Sequence, residues 1–199
     1  MKIAMAIAFA AFVVGCSPAA PRPSSSGAVA TGGVSGTPSE TAAPSSSAFD
    51  STFYRYELVV PSGWLAHPAE SRWTSGVLEG RCPSDWDCFS DNRNGVTLAA
   101  AAEAVPAGLT VDRWRSRIQF STPEVCSDSG PRTNTTLDSE PAEAWTSTCS
   151  SEDLDVIKLV AIHGGRGYVV LLASPTSLGI DADQATFDSI VAEFRFAGA

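Results

Sequence analysis

The sequence predicts an α+β domain, an antiparallel β-sheet flanked by helices, and three observations carry that prediction. Apolar and polar residues alternate in several short runs, the pattern of half-buried strands. These runs come in adjacent pairs joined by turns bearing Gly, Pro or Asp, which favours hairpins over parallel βαβ winding. Two segments of helical periodicity interrupt and then close the series. A chain of 199 residues can build one domain with a substantial core but not two ordinary ones.

The N-terminal residues have a different character. Met1 and Lys2 make a short positive start, residues 3–14 are an unbroken apolar run, and Gly15-Cys16 follows, the layout of a secretion signal. A helix of that length covers roughly 18 Å of a roughly 30 Å hydrocarbon layer, so the run is not expected to span as a mature helix. The tetrad Val13-Val14-Gly15-Cys16 resembles the bacterial lipobox. That resemblance implies a signal peptide over residues 1–15 and a lipidated Cys16, whose thiol is alkylated and whose new amine is acylated. Several acyl chains, each contributing about 0.8 kcal/mol per buried methylene, anchor stably where one does not. The expected location is the extracytoplasmic face of the cell membrane, with the membrane itself a partner through the lipid anchor.

Residues 16–48, which begin with that cysteine, are dominated by Ser, Ala, Pro, Gly and Thr. They offer too little apolar surface to offset chain entropy and read as a disordered tether, with a coil reach of roughly 30 Å. A single globular domain is expected over residues 49–199. In it Tyr54, Tyr56, Leu58 and Val60 alternate with Arg55, Glu57 and Val59, a half-buried strand that stops at Pro61-Ser62-Gly63 and a turn presenting Trp64. Residues 77–80 read as a short strand. Residues 95–104 follow an Asn-Gly turn and read as a strand, although their alanine run is compatible with helix. Thr110 caps an amphipathic helix expected over residues 110–120, with Val111, Trp114 and Ile118 on one face and Pro123 beyond it. Residues 132–137 and 143–149 read as a hairpin around Asp138-Ser139-Glu140-Pro141. Residues 156–162 and 168–173 form the clearest hairpin, around His163-Gly164-Gly165-Arg166-Gly167, whose three glycines permit positive φ. Residues 181–193 are a closing helix with Phe187, Ile190, Val191 and Phe194 on one face.

The stretch YRYELVVPSGWLAHPAESRW from Tyr54 to Trp73 resembles the first strand of the PsbP/MOG-like superfamily as it occurs in actinobacterial lipoproteins. The HGGRGYVVLLASP hairpin and the FDSIVAEFRF helix are similar to that superfamily's closing half. The resemblance implies an α/β/α sandwich around an antiparallel sheet. For function it implies binding or accessory modules without chemistry.

Cys82, Cys88, Cys126 and Cys149 remain once Cys16 is assigned to lipid, an even number in an exported chain, so disulfides are expected. Three pairings exist, of which the one nearest in sequence, Cys82 with Cys88 and Cys126 with Cys149, is favoured. No CxxC spacing points to a metal or redox site.

The remaining chemistry-bearing residues each have a plain reading. Ser62, His67 and Glu70 are the residue types of a hydrolytic triad, but they crowd one turn and lack a nucleophile elbow. His163 opens a glycine-rich turn and reads as a loop histidine. Asp85, Asp87, Asp91, Asn92 and Asn94 are oxygen donors of the calcium-binding kind, yet without the loop order or closing Glu, and they are also ordinary turn residues. No metal, cofactor or catalytic residue is therefore assigned. Trp64, Trp73 and Trp86 lie in or beside loops, where aromatics can anchor a partner, whereas Trp114 and Trp145 fall on core faces. The formal charge of −9 has no basic concentration to match a phosphate backbone, so nucleic acid is excluded as a partner. The chain reads as a non-catalytic binding or accessory module that engages an envelope protein or a small ligand. The alternative is an extracytoplasmic hydrolase with an unrecognised site.

Overall fold

The computed structural model describes residues 46–74, 82–118 and 126–198. Its main sheet grows outward from a central hairpin, β9 (Leu154–His163) with β10 (Arg166–Pro175). Gly164 and Gly165 take φ of +55° and +73°, so the hairpin closes in a two-residue turn and His163 pairs directly with Arg166. The expected wider turn is corrected accordingly: Gly167 belongs to β10. It is glycine for another reason, since a Cβ there would lie 2.3 Å from Cε2 of Trp114.

The second hairpin, β7 (Thr133–Leu137) with β8 (Glu140–Cys149), is likewise tighter than the sequence suggests. Asp138 and Ser139, at φ of +45° and +70°, make the whole turn, and Glu140 and Pro141 lie in β8. The alanine run is strand: β5 (Val96–Ala104) is hydrogen-bonded between β10 and β4 (Asp87–Asp91), where small side chains suit a position covered on both sides. No alternation in the sequence announces β4, β3 (Leu65–His67) or β6 (Ser127–Asp128). The sheet order is β3-β4-β5-β10-β9-β8-β6, with β7 also on β8, and every pairing is antiparallel.

A smaller sheet joins β1 (Ser47–Asp50), β2 (Tyr56–Val60) and β11 (Arg195–Phe196) in the order β1-β2-β11. Ser47 and Ala48, placed in the tether by composition, already pair with Val60 and Val59. An edge strand needs backbone groups more than apolar side chains, so composition hides it. In β2 the inward residues are the expected ones: Tyr56, Leu58 and Val60 are buried, as is Tyr54 just before the strand.

Two α-helices and a 3₁₀ turn (Thr176–Leu178) complete the described residues. α1 (Val111–Arg115) is shorter than expected, although Thr110 caps it as read, accepting from the Arg113 amide. Trp114 and Ile118 are buried on its core side, while Phe120 and Pro123 lie outside the described residues, as does the strand expected over 77–80. α2 (Ile180–Ala192) buries Phe187 and Ile190, with Phe194 following. Alternate residues of β10 separate the two helices onto opposite faces. Tyr168 meets Phe194 and Phe196 near α2, and Ser174 donates to Asp183 of α2, whereas Gly167 faces Trp114 of α1. The antiparallel α+β layout is thus present, but strand-rich, since the small sheet and α2 share one face and α1 is a single turn.

Candidate functional site

The cysteines pair as favoured from their spacing. Cys82 is bonded to Cys88 of β4, and Cys126 to Cys149 at the end of β8. All four serve as cross-links, and Cys16 lies outside the described residues.

The tryptophans divide differently from expectation. Trp73 and Trp86 are 5% and 1% exposed, so their reading as partner anchors is corrected. They pack edge to face at 5.0 Å between centroids, and Trp73 continues to Trp114 at 6.2 Å, forming an aromatic core layer on the α1 side. The loop that carries Trp73 is pinned by Tyr54, whose hydroxyl accepts from the Trp73 amide at 2.8 Å and donates to the Asp85 carbonyl. Burial raises the Tyr54 phenol to about 12. Trp64 is half-buried against the core.

The Asp-rich segment is also committed internally. Asp87 is buried, and its carboxylate accepts from the Ser51 hydroxyl, the Tyr56 hydroxyl at 2.9 Å and the Ala69 amide at 2.8 Å. Burial, followed by the Asp87 charge, raises the Tyr56 phenol well above its ordinary value. Asp91 accepts from the Arg93 amide and from Asn94 Nδ2, closing the β4–β5 turn in which Gly95 has φ of +72°.

His67 lies on the exposed edge strand β3, with Nε2 3.5 Å from Ser90 Oγ. His163 stacks on Phe196 at 4.3 Å and 3°, and its Nδ1 is 2.9 Å from Glu140 Oε1. Neither histidine stands between a nucleophile and an orienting carboxylate in the hydrogen bonds it makes.

One constellation escapes sequence reading because its members meet only across strands. Lys158 of β9, 6% exposed, donates to Ser147 Oγ of β8 at 2.8 Å, and Ser147 donates to Asp128 Oδ1 of β6 at 3.0 Å. Burial lowers the Lys158 amine to about 8, opposed by the Asp128 charge.

An open groove lies at the end of the molecule where β11 is clamped. Phe196 donates its amide to Asp138 Oδ2 at 2.8 Å, and Ala197 donates to the Arg55 carbonyl at 3.0 Å. Beside β11, between β7 and α2, lies a groove of about 540 Å³. Thr135, Thr136, Asp138, Asp188 and Arg195 are among its lining residues. Asp188 accepts from Gln184, and the Arg195 guanidinium donates to the Ala192 and Phe194 carbonyls, so the walls are held in place by α2. The lining offers hydroxyls, carboxylates and one guanidinium without a nucleophile–base pair. These residues carry no sequence signal, being ordinary surface types brought together by the meeting of a hairpin with the closing helix.

This arrangement, a long antiparallel sheet with α2 and a three-stranded ribbon on one face and an aromatic layer on the other, defines a PsbP-like fold. The chain is similar to the solution structure of cyanobacterial PsbP (CyanoP) from Synechocystis sp. PCC 6803, with a TM-score of 0.56 covering 81% of this chain and 98% of that one. At 13% identity the likeness extends to the fold alone. No family model matches the chain, and no curated protein matches it in sequence.

Proposed function

We propose that the protein is a membrane-anchored extracytoplasmic lipoprotein, lipidated at Cys16, whose PsbP/MOG-like domain of the actinobacterial lipoprotein type binds another envelope component without catalysis. The observation that carries this reading is the open groove between β7 and α2, a concave polar surface with hydrogen-bonding groups and no reacting pair. The lipobox and the polar tether support a domain held off the bilayer and free to dock. The chain's negative charge also disfavours attachment by surface electrostatics, leaving lipid as the anchor. A photo-crosslinking residue at Thr136, in the groove, should capture a discrete envelope component in intact cells. The same group at Leu65, on the opposite edge strand, should not. Equal capture from both positions, or none from either, removes the docking reading.

The hydrolase alternative has one observation in its favour, the 2.8 Å contact of Ser147 with a lysine whose amine is lowered to about 8. Against it, both groups are buried, and the proton on Ser147 is directed to Asp128 rather than to the amine. A fluorophosphonate probe should leave the protein unlabelled. Labelling abolished by Ser147→Ala would replace the binding module with an enzyme.

A further inference from the structure

On the strand's other flank is a second depression, lined by Arg55, His163, Gly164, Arg166, Tyr168 and Ala197, with about 20 Å³ of room. Two arginines and a histidine are among its lining residues in a chain of net charge −9. The imidazole is paired with Glu140, but neither Arg55 nor Arg166 has a carboxylate partner among the described residues. Both guanidiniums act on the same hydroxyl: burial raises the Tyr168 phenol, and the charges of Arg166 and Arg55 pull it back. Tyr168 spends its own proton on the Tyr54 carbonyl at 3.0 Å and the Arg55 carbonyl at 3.4 Å, so it forms a floor between them.

The framework fixes both arginines in place. Arg166 is the first residue of β10, set by its pairing with His163 across the two-residue turn. Arg55 has φ of +57°, a conformation that disfavours any residue with a Cβ, and its carbonyl is held there by the Ala197 amide. An arginine stands here where Gly or Asn would fold more easily.

We propose that this depression is an oxyanion site that takes a phosphate group, free or as an ester. Guanidinium forks match the oxygens of a phosphate bidentately, and a phosphate dianion balances two positive charges where a carboxylate balances one. Room for about one water-sized group takes a single phosphate oxygen and leaves the rest of the phosphate, free or esterified, at the mouth of the depression. The site is separate from the groove, so its failure would leave the docking reading standing.

The test is a titration of the full chain in detergent micelles with inorganic phosphate and, separately, glycerol phosphate, at ionic strength held constant with sodium chloride. Amide resonances of Gly164, Gly165, Arg166 and Ala197 should shift saturably, with acetate giving no saturation. Saturation by both phosphates indicates that the head group suffices, and saturation by glycerol phosphate alone indicates an ester. Arg55→Gln and Arg166→Gln should each weaken binding by about tenfold or more. Should either variant misfold, Arg166→Lys, which keeps the charge and loses the fork, should weaken it measurably. Absence of saturation with both phosphates, an equal response to acetate, or unchanged binding in the folded variants overturns the proposal.

Discussion

Lys158 is a charged residue in an environment that opposes its charge. Its amine falls from 10.5 to about 8 because burial penalises the charged form, and the charge of Asp128 offsets part of that penalty. Between those values the unfolded chain binds the extra proton, so stability should rise as pH increases from about 8 toward 10.5, by on the order of 3 kcal/mol. Tyr54, Tyr56 and Tyr168 act in the opposite direction, since raised phenols keep protons that the unfolded chain loses above 10. A stability maximum near pH 10 is therefore expected in urea titrations, and Lys158→Met should flatten the rising limb while leaving the fall at higher pH. Gly167 is the other residue with a sharp constraint. Gly167→Ala would drive a methyl against the Trp114 ring and should cost about 2 kcal/mol, with a shifted tryptophan emission to mark the displaced ring. Unchanged stability and emission would mean that the ring is not held where the fold places it.

The elements are joined by a small number of buried polar contacts, each of which holds one piece to the main sheet. α2 is latched by Ser174 to Asp183, both buried, and the small sheet is tied to β4 through Ser51, Tyr56 and Asp87. Asp183→Ala leaves the Ser174 hydroxyl without its acceptor and should lower unfolding stability by about 1–3 kcal/mol, read as a fall in the urea midpoint at unchanged slope. The two disulfides act on segments of different length, with separations of 23 and 6 residues. On the loop-entropy account, replacing the Cys126–Cys149 pair by alanines should cost about 3 kcal/mol and the Cys82–Cys88 pair about 2. The opposite order would point to strain or unfolded-state structure as the dominant contribution. Hairpin register has a local origin: paired left-handed residues, Gly164 with Gly165 and Asp138 with Ser139, select two-residue turns that set every cross-strand partner beyond them.

For the molecule as a whole, the proposed function assigns attachment to the N-terminal segment and docking to the PsbP-like domain. The body folds around its own core, and its buried side-chain polar atoms, among the described residues, all have hydrogen-bond partners. Attachment is expected to depend on Cys16 alone. Cys16→Ala should therefore move the protein from the membrane fraction to the soluble fraction without changing the thermal midpoint of the domain. Retention in membranes after that substitution would show that another contact supplies the anchorage.

The alternation at Tyr54, Tyr56, Leu58 and Val60, the glycine turn after His163, the Phe187 and Ile190 face and the nearest-neighbour cysteine pairing could all be read from the chain, because each is a local signal with its own period or turn chemistry. Sidedness could not. A loop tryptophan and a core tryptophan have the same sequence context, and Trp73 and Trp86 are buried because α1 and the Tyr54 hydrogen bonds fold their loops inward. The groove at Thr136 and the paired arginines at positions 55 and 166 are likewise products of long-range closure. Residues separated by most of the domain acquire a shared charge or a shared cavity when β11 docks between β2 and the turn at Asp138, and no local pattern encodes that meeting.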